Sequence, residues 1–253
     1  MGDVPYSQPQ ANLLEDMIGR MNAEPLAFVA HVGDITSGRG PCGDEWMEAR
    51  KRQFARFKAP FVLLPGDNDW TDCHRSGMDP RERLENWRAL FCVAVPLEGF
   101  VRQERYCENV RWLAANRVFV GLNVQGSNNN LNRDPAEMGE RMAAVHAWLD
   151  EAAKLVNEKG SGRDGLVILM QANPFVKPRL GGANGFDGIL GKLRELGRAM
   201  PGRVLLVNGD THSYKNDEPL PGLRRVEVYG WPHMRWLRAT VREKGIEVEP
   251  VLE

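Results

Sequence analysis

The stretch FVLLPGDND (61–69) is four apolar residues, a Pro-Gly break and two carboxylates, Asp67 and Asp69, on either side of Asn68. Four apolar residues closed by Pro and Gly are too short for a helix and fit a strand buried on both faces. The same construction recurs along the chain. LAFVAHV (26–32) runs into Gly33-Asp34, LVILM (166–170) into Gln171-Ala172-Asn173, and RVLLV (203–207) into Asn208-Gly209-Asp210-Thr211-His212. A fifth strand, RVFVGLNV (117–124), leads into the polar loop 126–130 (GSNNN).

Helical patterns separate these strands. Apolar residues fall at helical spacing over 11–22 (Leu14, Met17, Ile18, Met21), 44–57 (Trp46, Phe54, Phe57), 81–92 (Leu84, Trp87, Phe91) and 135–157 (Met138, Met142, Val145, Trp148, Leu149). A further helix is expected over 187–199, after a Gly-rich loop at 181–188. Three alternating segments, 224–229, 235–241 and 246–250, close the chain. Strands alternating with helices predict an α/β fold with helices covering the sheets, and the closing strands predict an antiparallel part. With no linker, internal repeat or low-complexity tract, one domain over 1–253 is the simplest reading.

Composition agrees. The chain has 253 residues, 42% hydrophobic and 26% charged, enough for a core and unlike a disordered segment. A net charge of −1 provides no global field toward nucleic acid or anionic lipid. No apolar run approaches the roughly 18 residues of a membrane span. No G-x-G-x-x-G follows a strand and no Walker A motif is present, which argues against a dinucleotide or P-loop cofactor. The four cysteines form no C-x-x-C pair. Cys92 reads as a small apolar residue on a helix. Cys42 and Cys73 sit in loops after two Gly-Asp strand ends. If those strands are neighbours a disulfide between them becomes feasible, and with it an oxidising compartment.

The strand ends carry the chemistry. Open α/β sheets bind ligands at the carboxyl ends of their strands. Several carboxylates gathered there repel one another unless a cation lies among them, so clustered Asp with His and amide side chains favours a metal site. Glycine before each Asp lets the chain turn sharply.

Taken in order, Gly2-Asp3-Val4-Pro5-Tyr6, Gly33-Asp34, Gly66-Asp67-Asn68-Asp69 and Gly209-Asp210-Thr211-His212 resemble the successive motifs of the calcineurin-like metallophosphoesterases, over nearly the whole chain. That resemblance implies a four-layer α/β fold, with two packed mixed sheets flanked by helices, and two divalent metals at strand-end loops. It implies Asp34 as the bridging ligand, Asp3 and His212 at a first metal, and Asp67, Gln171 and Asp210 at a second. Tyr6 is a further first-site candidate, since some members use a tyrosine from another loop. The implied activity is phosphoric ester hydrolysis by a metal-activated water. The implied partner is a small phosphate ester.

The departures from the family pattern are specific. Asp67 replaces the family's asparagine, Gln171 and Asp210 replace second-site histidines, Pro5 stands where many members have a first-site histidine, and Asn68 replaces the histidine that assists the leaving group. A second site made almost wholly of oxygen favours Mn or Mg, with Fe or Zn admitted at the first. With the usual acid gone, Asn68, His74 and His31 are the catalytic candidates, and Arg75, Asn128 and Asn129 the substrate-binding ones. The alternative is a weakly active or inactive member that binds a phosphate-bearing ligand or a single cation. Asp3 should end a buried strand, yet only Met1 and Gly2 precede it. The expectation is that the natural protein begins further upstream, with room there for a secretion signal. Substrate identity and oligomeric state are not written in these motifs.

Overall fold

The structure is a computed structural model that describes residues 1–158, 160, 162–177, 182–242 and 245–251. Helix α1 (Gln8–Met21) is followed by strand β1 (Val29–His31), α2 (Asp44–Phe54), β2 (Phe61–Leu63), a 3-10 turn (Thr71–Ser76) and α3 (Pro80–Phe91). A hairpin, β3 (Val101–Gln103) and β4 (Tyr106–Ala114), leads into β5 (Arg117–Gly121). Then come a short turn α4 (Gly126–Asn129), α5 (Pro135–Asn157), β6 (Gly165–Leu169), α6 (Asp187–Ala199) and β7 (Val204–Asn208). Strands β8 (Lys215–Leu220), β9 (Leu223–Glu227), β10 (Trp236–Arg242) and β11 (Gly245–Val251) complete the order.

Seven strands form one mixed sheet in the order β3-β4-β5-β6-β7-β9-β8, in which β5, β6, β7 and β9 run parallel. The second layer is divided into a parallel pair, β1-β2, and an antiparallel pair, β10-β11. Met1 to Asp3 lie alongside β1: Val32 N donates to Met1 O (2.9 Å) and Asp3 N to Gly33 O (2.9 Å). These backbone bonds anchor Asp3 at the level of Asp34.

Period-2 alternation in the parallel strands builds four layers. Val118, Val120, Leu166, Ile168, Val204 and Leu206 pack outward against Val145, Leu149, Ile189 and Leu193 of α5 and α6. The intervening Phe119, Val167, Leu169 and Leu205 pack inward against Val32, Val62 and Leu64. The opposite face of β1 and β2 carries Val29 and Leu63 into contact with Leu14, Met17, Met47 and Trp87 from the first three helices. Helix starts are set locally: Asp79 and Asp134 accept from Glu82 N and Glu137 N, each with Pro at the first helical position.

Three strands, β3, β4 and β8, were absent from the sequence reading. β4 carries buried Glu108 and Asn109 beside Val110, and β8 is mostly polar, so neither shows a clean apolar alternation. The omission of β4 hid a second disulfide. Cys92 is not a free apolar thiol but is bonded to Cys107, which β4 carries to the end of α3. The expected Cys42–Cys73 disulfide is present. No helix among the described residues is long and apolar enough to cross a membrane. Gly181, at the start of the expected Gly-rich loop, lies outside the described residues.

Candidate metal centre

Because β5, β6, β7 and β9 run parallel, their carboxyl ends fall on one edge, and the loops after β1 and β2 face it. Asp3, Asp34 and Gln171 are buried there, with Asp67 and Asn68 nearly so. Asp34 Oδ1 accepts Asn68 N (3.0 Å) and its Oδ2 accepts Gln171 Nε2 (3.2 Å). Asp3 accepts Asp210 N through both oxygens (3.1 and 3.2 Å) and lies 3.8 Å from His212 Nε2. Tyr6 Oη donates to Asp34 Oδ2 (3.3 Å) and is 3.0 Å from His212 Nε2. The structure therefore brings all six expected metal ligands to one edge, with Tyr6 among them.

The backbone there is strained. Among the described residues eleven non-glycines have positive φ, and eight of them are Asp3, Asp34, Ser127, Asn128, Asn129, Asn130, Asp210 and His212. Left-handed backbone is uncommon outside glycine and gathers at sites where the surroundings enforce it. The glycines before Asp67 and Asp210 act by closeness rather than by φ. A Cβ on Gly66 would fall 2.0 Å from Asp34 Oδ1, and one on Gly209 2.2 Å from Asp3 Oδ2.

Electrostatics record the crowding. Burial holds the carboxyls of Asp3, Asp34 and Asp67 well above the usual range, and neighbouring carboxylates push them further: Asp210 on Asp3, Asp67 on Asp34, and Asp210 on Asp67. Asp210 is raised to about 6, chiefly by burial. Burial lowers His212 and, with Asp34, raises Tyr6. Among the described residues no Lys or Arg forms an ion pair with Asp3, Asp34, Asp67 or Asp210. Three buried carboxyls and the half-buried Asp210, without a compensating side-chain cation among the described residues, and oxygen donors almost throughout, fit an oxygen-preferring divalent ion. As the side chains lie, no three His, Cys, Asp or Glu among the described residues surround one point, so no coordination geometry is fixed.

Several residues at this edge were not singled out from the sequence. Ser127 Oγ sits 2.7 Å from Asp67 Oδ2 and 2.9 Å from Asp72 Oδ2, and its one proton serves one carboxylate at a time. Asp72 also holds Arg75 (2.6 Å), whose guanidinium reaches Gly38 O (3.3 Å) at the rim. Glu227, fully buried, accepts Thr211 N (3.1 Å), Asn173 Nδ2 (2.8 Å) and Lys215 Nζ (2.6 Å), which pins the loop carrying His212. The density of acids in GDNDWTD (66–72) is the signal that could have pointed to Asp72; Ser127 and Glu227 left none.

Other expected residues are placed elsewhere. His31 is fully buried, with Nε2 2.8 Å from Val4 O and Nδ1 accepting Gly33 N (3.2 Å). Burial and the Met1 amine lower it to about 3, so it is a neutral core histidine and not a proton donor to substrate. Asn129 is also fully buried and holds Gly185 O (3.0 Å) and Arg141 Nη1 (2.8 Å), which corrects its reading as a substrate contact. Asn128 likewise bonds Ala183 O (3.1 Å) and Gly185 N (2.8 Å). His74 remains at the rim, bonded to Thr71 O (2.7 Å). Asn68 is held by its backbone, with its carbonyl 3.5 Å from both sulfurs of the Cys42–Cys73 bridge.

Two layered sheets with acidic loops at their shared edge give this chain the fold of the calcineurin-like metallophosphoesterases. It is similar in particular to a dimetal phosphatase from Danio rerio, with a TM-score of 0.55 and 14% identity over 91% of this chain and 86% of that one. A purple acid phosphatase from yellow lupin seeds matches at 0.53 and 12%, over 90% of this chain and 43% of that one. PhoD matches at 0.51 and 13%, over 85% of this chain and 53% of that one. The chain thus spans about half the length of the latter two. No protein-family model and no curated protein matches it by sequence.

Proposed function

We propose that the chain is a single-domain, metal-dependent phosphoric ester hydrolase with a dinuclear centre, acting on small phosphate esters. The observation that carries this reading is the set of four carboxyls, Asp3, Asp34 and Asp67 buried and Asp210 half-buried, with no Lys or Arg partner among the described residues. Asp34 would lie between two cations, Asp3 and His212 would hold one, and Asp67, Gln171 and Asp210 the other. Oxygen donors favour Mn or Mg. When bound, such ions supply positive charge for phosphoryl oxygens and a more acidic water. Arg75, bonded at the rim to Asp72, Gly38 O and Ser127 Oγ, would contact a phosphoryl oxygen through its remaining N–H groups. His74, held at the rim by Thr71 O, would be the imidazole for proton transfer to a leaving group. Two disulfides favour an oxidising, exported setting.

One observation favours the alternative, a weakly active or inactive protein with one cation or none. The Tyr6 hydroxyl and the Gln171 amide already bond Asp34, so the cluster satisfies part of its own hydrogen-bonding capacity. Elemental analysis after equilibration with Mn²⁺, together with hydrolysis of p-nitrophenyl phosphate and its bis ester, separates the two. About two Mn per chain with turnover, both lost in Asp34→Asn, is the expected result. One metal or none, with no turnover, would leave the alternative standing.

A further inference from the structure

Four arginines line a pocket at the opposite edge of the seven-stranded sheet, where β6 and β7 begin. The pocket has a volume of ≈ 270 Å³ and is lined by Arg117, Arg203, Arg224 and Arg242, with Glu247 as the acid among its described lining residues. Glu247 is engaged with Arg242 (3.1 Å). Arg117, Arg203 and Arg224 have no carboxylate within ion-pair distance among the described residues. Arg203 is held in place by backbone, Nε to Asp164 O and Nη2 to Arg163 O (both 2.9 Å). Arg224 is fixed by Asn216 Oδ1 (2.9 Å) and by the carbonyl of Ile246.

Arg117 is the informative member. It is 7% exposed, and its Nε is buried without a hydrogen-bond partner. A guanidinium is permanently charged, and burying one without a partner is costly. Such groups are retained where an anion or ordered water completes them. Two arginines with fixed forks, Arg203 and Arg224, and the unpartnered Arg117 line one small cavity, and the remaining guanidinium N–H groups suit a tetrahedral oxyanion. The five residues of β6 place this pocket roughly 16 Å from the strand-end carboxylates, at about 3.3 Å per residue.

We propose that this pocket is a second anion site that takes inorganic phosphate or the terminal phosphate of a small molecule, clamped by Arg117, Arg203 and Arg224, and separate from the carboxylate centre. The site does not depend on the hydrolase reading. The test is calorimetric and thermal-shift titration of the intact protein with sodium phosphate in the presence of EDTA, with sodium chloride at matched ionic strength as control. EDTA removes divalent ions from the carboxylate centre, so phosphate held there is lost while phosphate held by arginine remains. Saturable phosphate binding in EDTA is expected, unchanged in Asp34→Asn and at least tenfold weaker in Arg224→Gln. Arg224 is half-buried, so this variant is expected to fold; Arg117→Gln, which retains most of the side-chain volume, is the second variant and should lose binding similarly. Equal shifts with chloride, binding abolished by EDTA, or undiminished binding in both arginine variants would overturn the proposal.

Discussion

The carboxylate of Asp69 holds the backbone of Asp34: its Oδ2 accepts Asp34 N at 3.0 Å, while Oδ1 takes Ile35 N at 2.7 Å. Oδ2 also accepts Gly66 N (2.8 Å), so one side chain ties the loop after β1 to the loop after β2. Burial lifts Asp69 to about 7 although the three amides act to lower it. Asp69→Ala leaves three buried N–H groups without partners, at about 1–3 kcal/mol each before relaxation. A loss of about 3 kcal/mol or more in urea unfolding is expected, with metal binding lost alongside. A loss below about 1 kcal/mol would mean that the loops hold their arrangement by other means.

Stability should depend on pH and metal in linked fashion. The carboxyls of Asp3, Asp34, Asp67, Asp69 and Asp210 are raised above their unfolded value, Asp210 to about 6 and Asp69 to about 7. The folded state then binds more protons than the unfolded one, so in chelator stability is lost as pH rises above about 4, through about 6 for Asp210 and about 7 for Asp69, with Asp3, Asp34 and Asp67 acting in the same direction. Lowered His31 pulls the opposite way between about 3 and 6.5. A cation replaces the protons, so the Tm difference between Mn²⁺-loaded and chelated protein, from which His31 cancels, should widen from pH 5 to 7.5. A flat difference would remove the carboxyl cluster as the metal site.

The two disulfides should separate in effect. Cys42–Cys73 closes 31 residues of separation and Cys92–Cys107 closes 15. Loop-closure entropy gives about 3 kcal/mol for the shorter and somewhat more for the longer. Cys42 and Cys73 also fasten the turn that carries His74 and Arg75, so the double Ser variant there should raise KM as well as lower Tm. The Cys92→Ser/Cys107→Ser variant should lower Tm alone. Four free thiols by non-reducing mass spectrometry of protein from an oxidising compartment would contradict both bonds.

A methyl group at residue 126 probes the centre without adding or removing a charge. A Cβ on Gly126 would lie 2.9 Å from Asp210 Oδ1 and from both Asp67 oxygens. Gly126→Ala should weaken Mn²⁺ binding by tenfold or more and change the stability of the chelated protein by less than about 1 kcal/mol, because flexible carboxylates yield where a bound ion would not. Unchanged Mn²⁺ affinity would place the cation elsewhere.

Sequence alone determined the layers and the edge on which the site lies. Short apolar runs ending in Gly-Asp, separated by helical repeats, define parallel strands whose carboxyl ends must share an edge. The resemblance of Gly2-Asp3, Gly33-Asp34, Gly66-Asp67 and Gly209-Asp210-Thr211-His212 to a family's motifs then pointed to Asp3, Asp34, Asp67, Gln171, Asp210 and His212. The Cys42–Cys73 pairing followed from the placement of both loops after Gly-Asp strand ends. Only the tertiary structure decided which polar residues turn inward from segments without periodicity. β4 mixes a buried charge with apolar residues and β8 is mostly polar, so Cys107 and its bond to Cys92 stayed hidden. His31 and Asn129 carry functional chemistry by type but lie where backbone groups, and for Asn129 also Arg141, already occupy their polar atoms. Asp69, Ser127 and Glu227 act on partners 34, 60 and 16 residues distant, and Arg117 meets Arg203 and Arg224 only because three strands start together. Local sequence encodes periodicity and turns. Hydrogen bonding and charge balance across such separations are set by how the strands register and the layers pack.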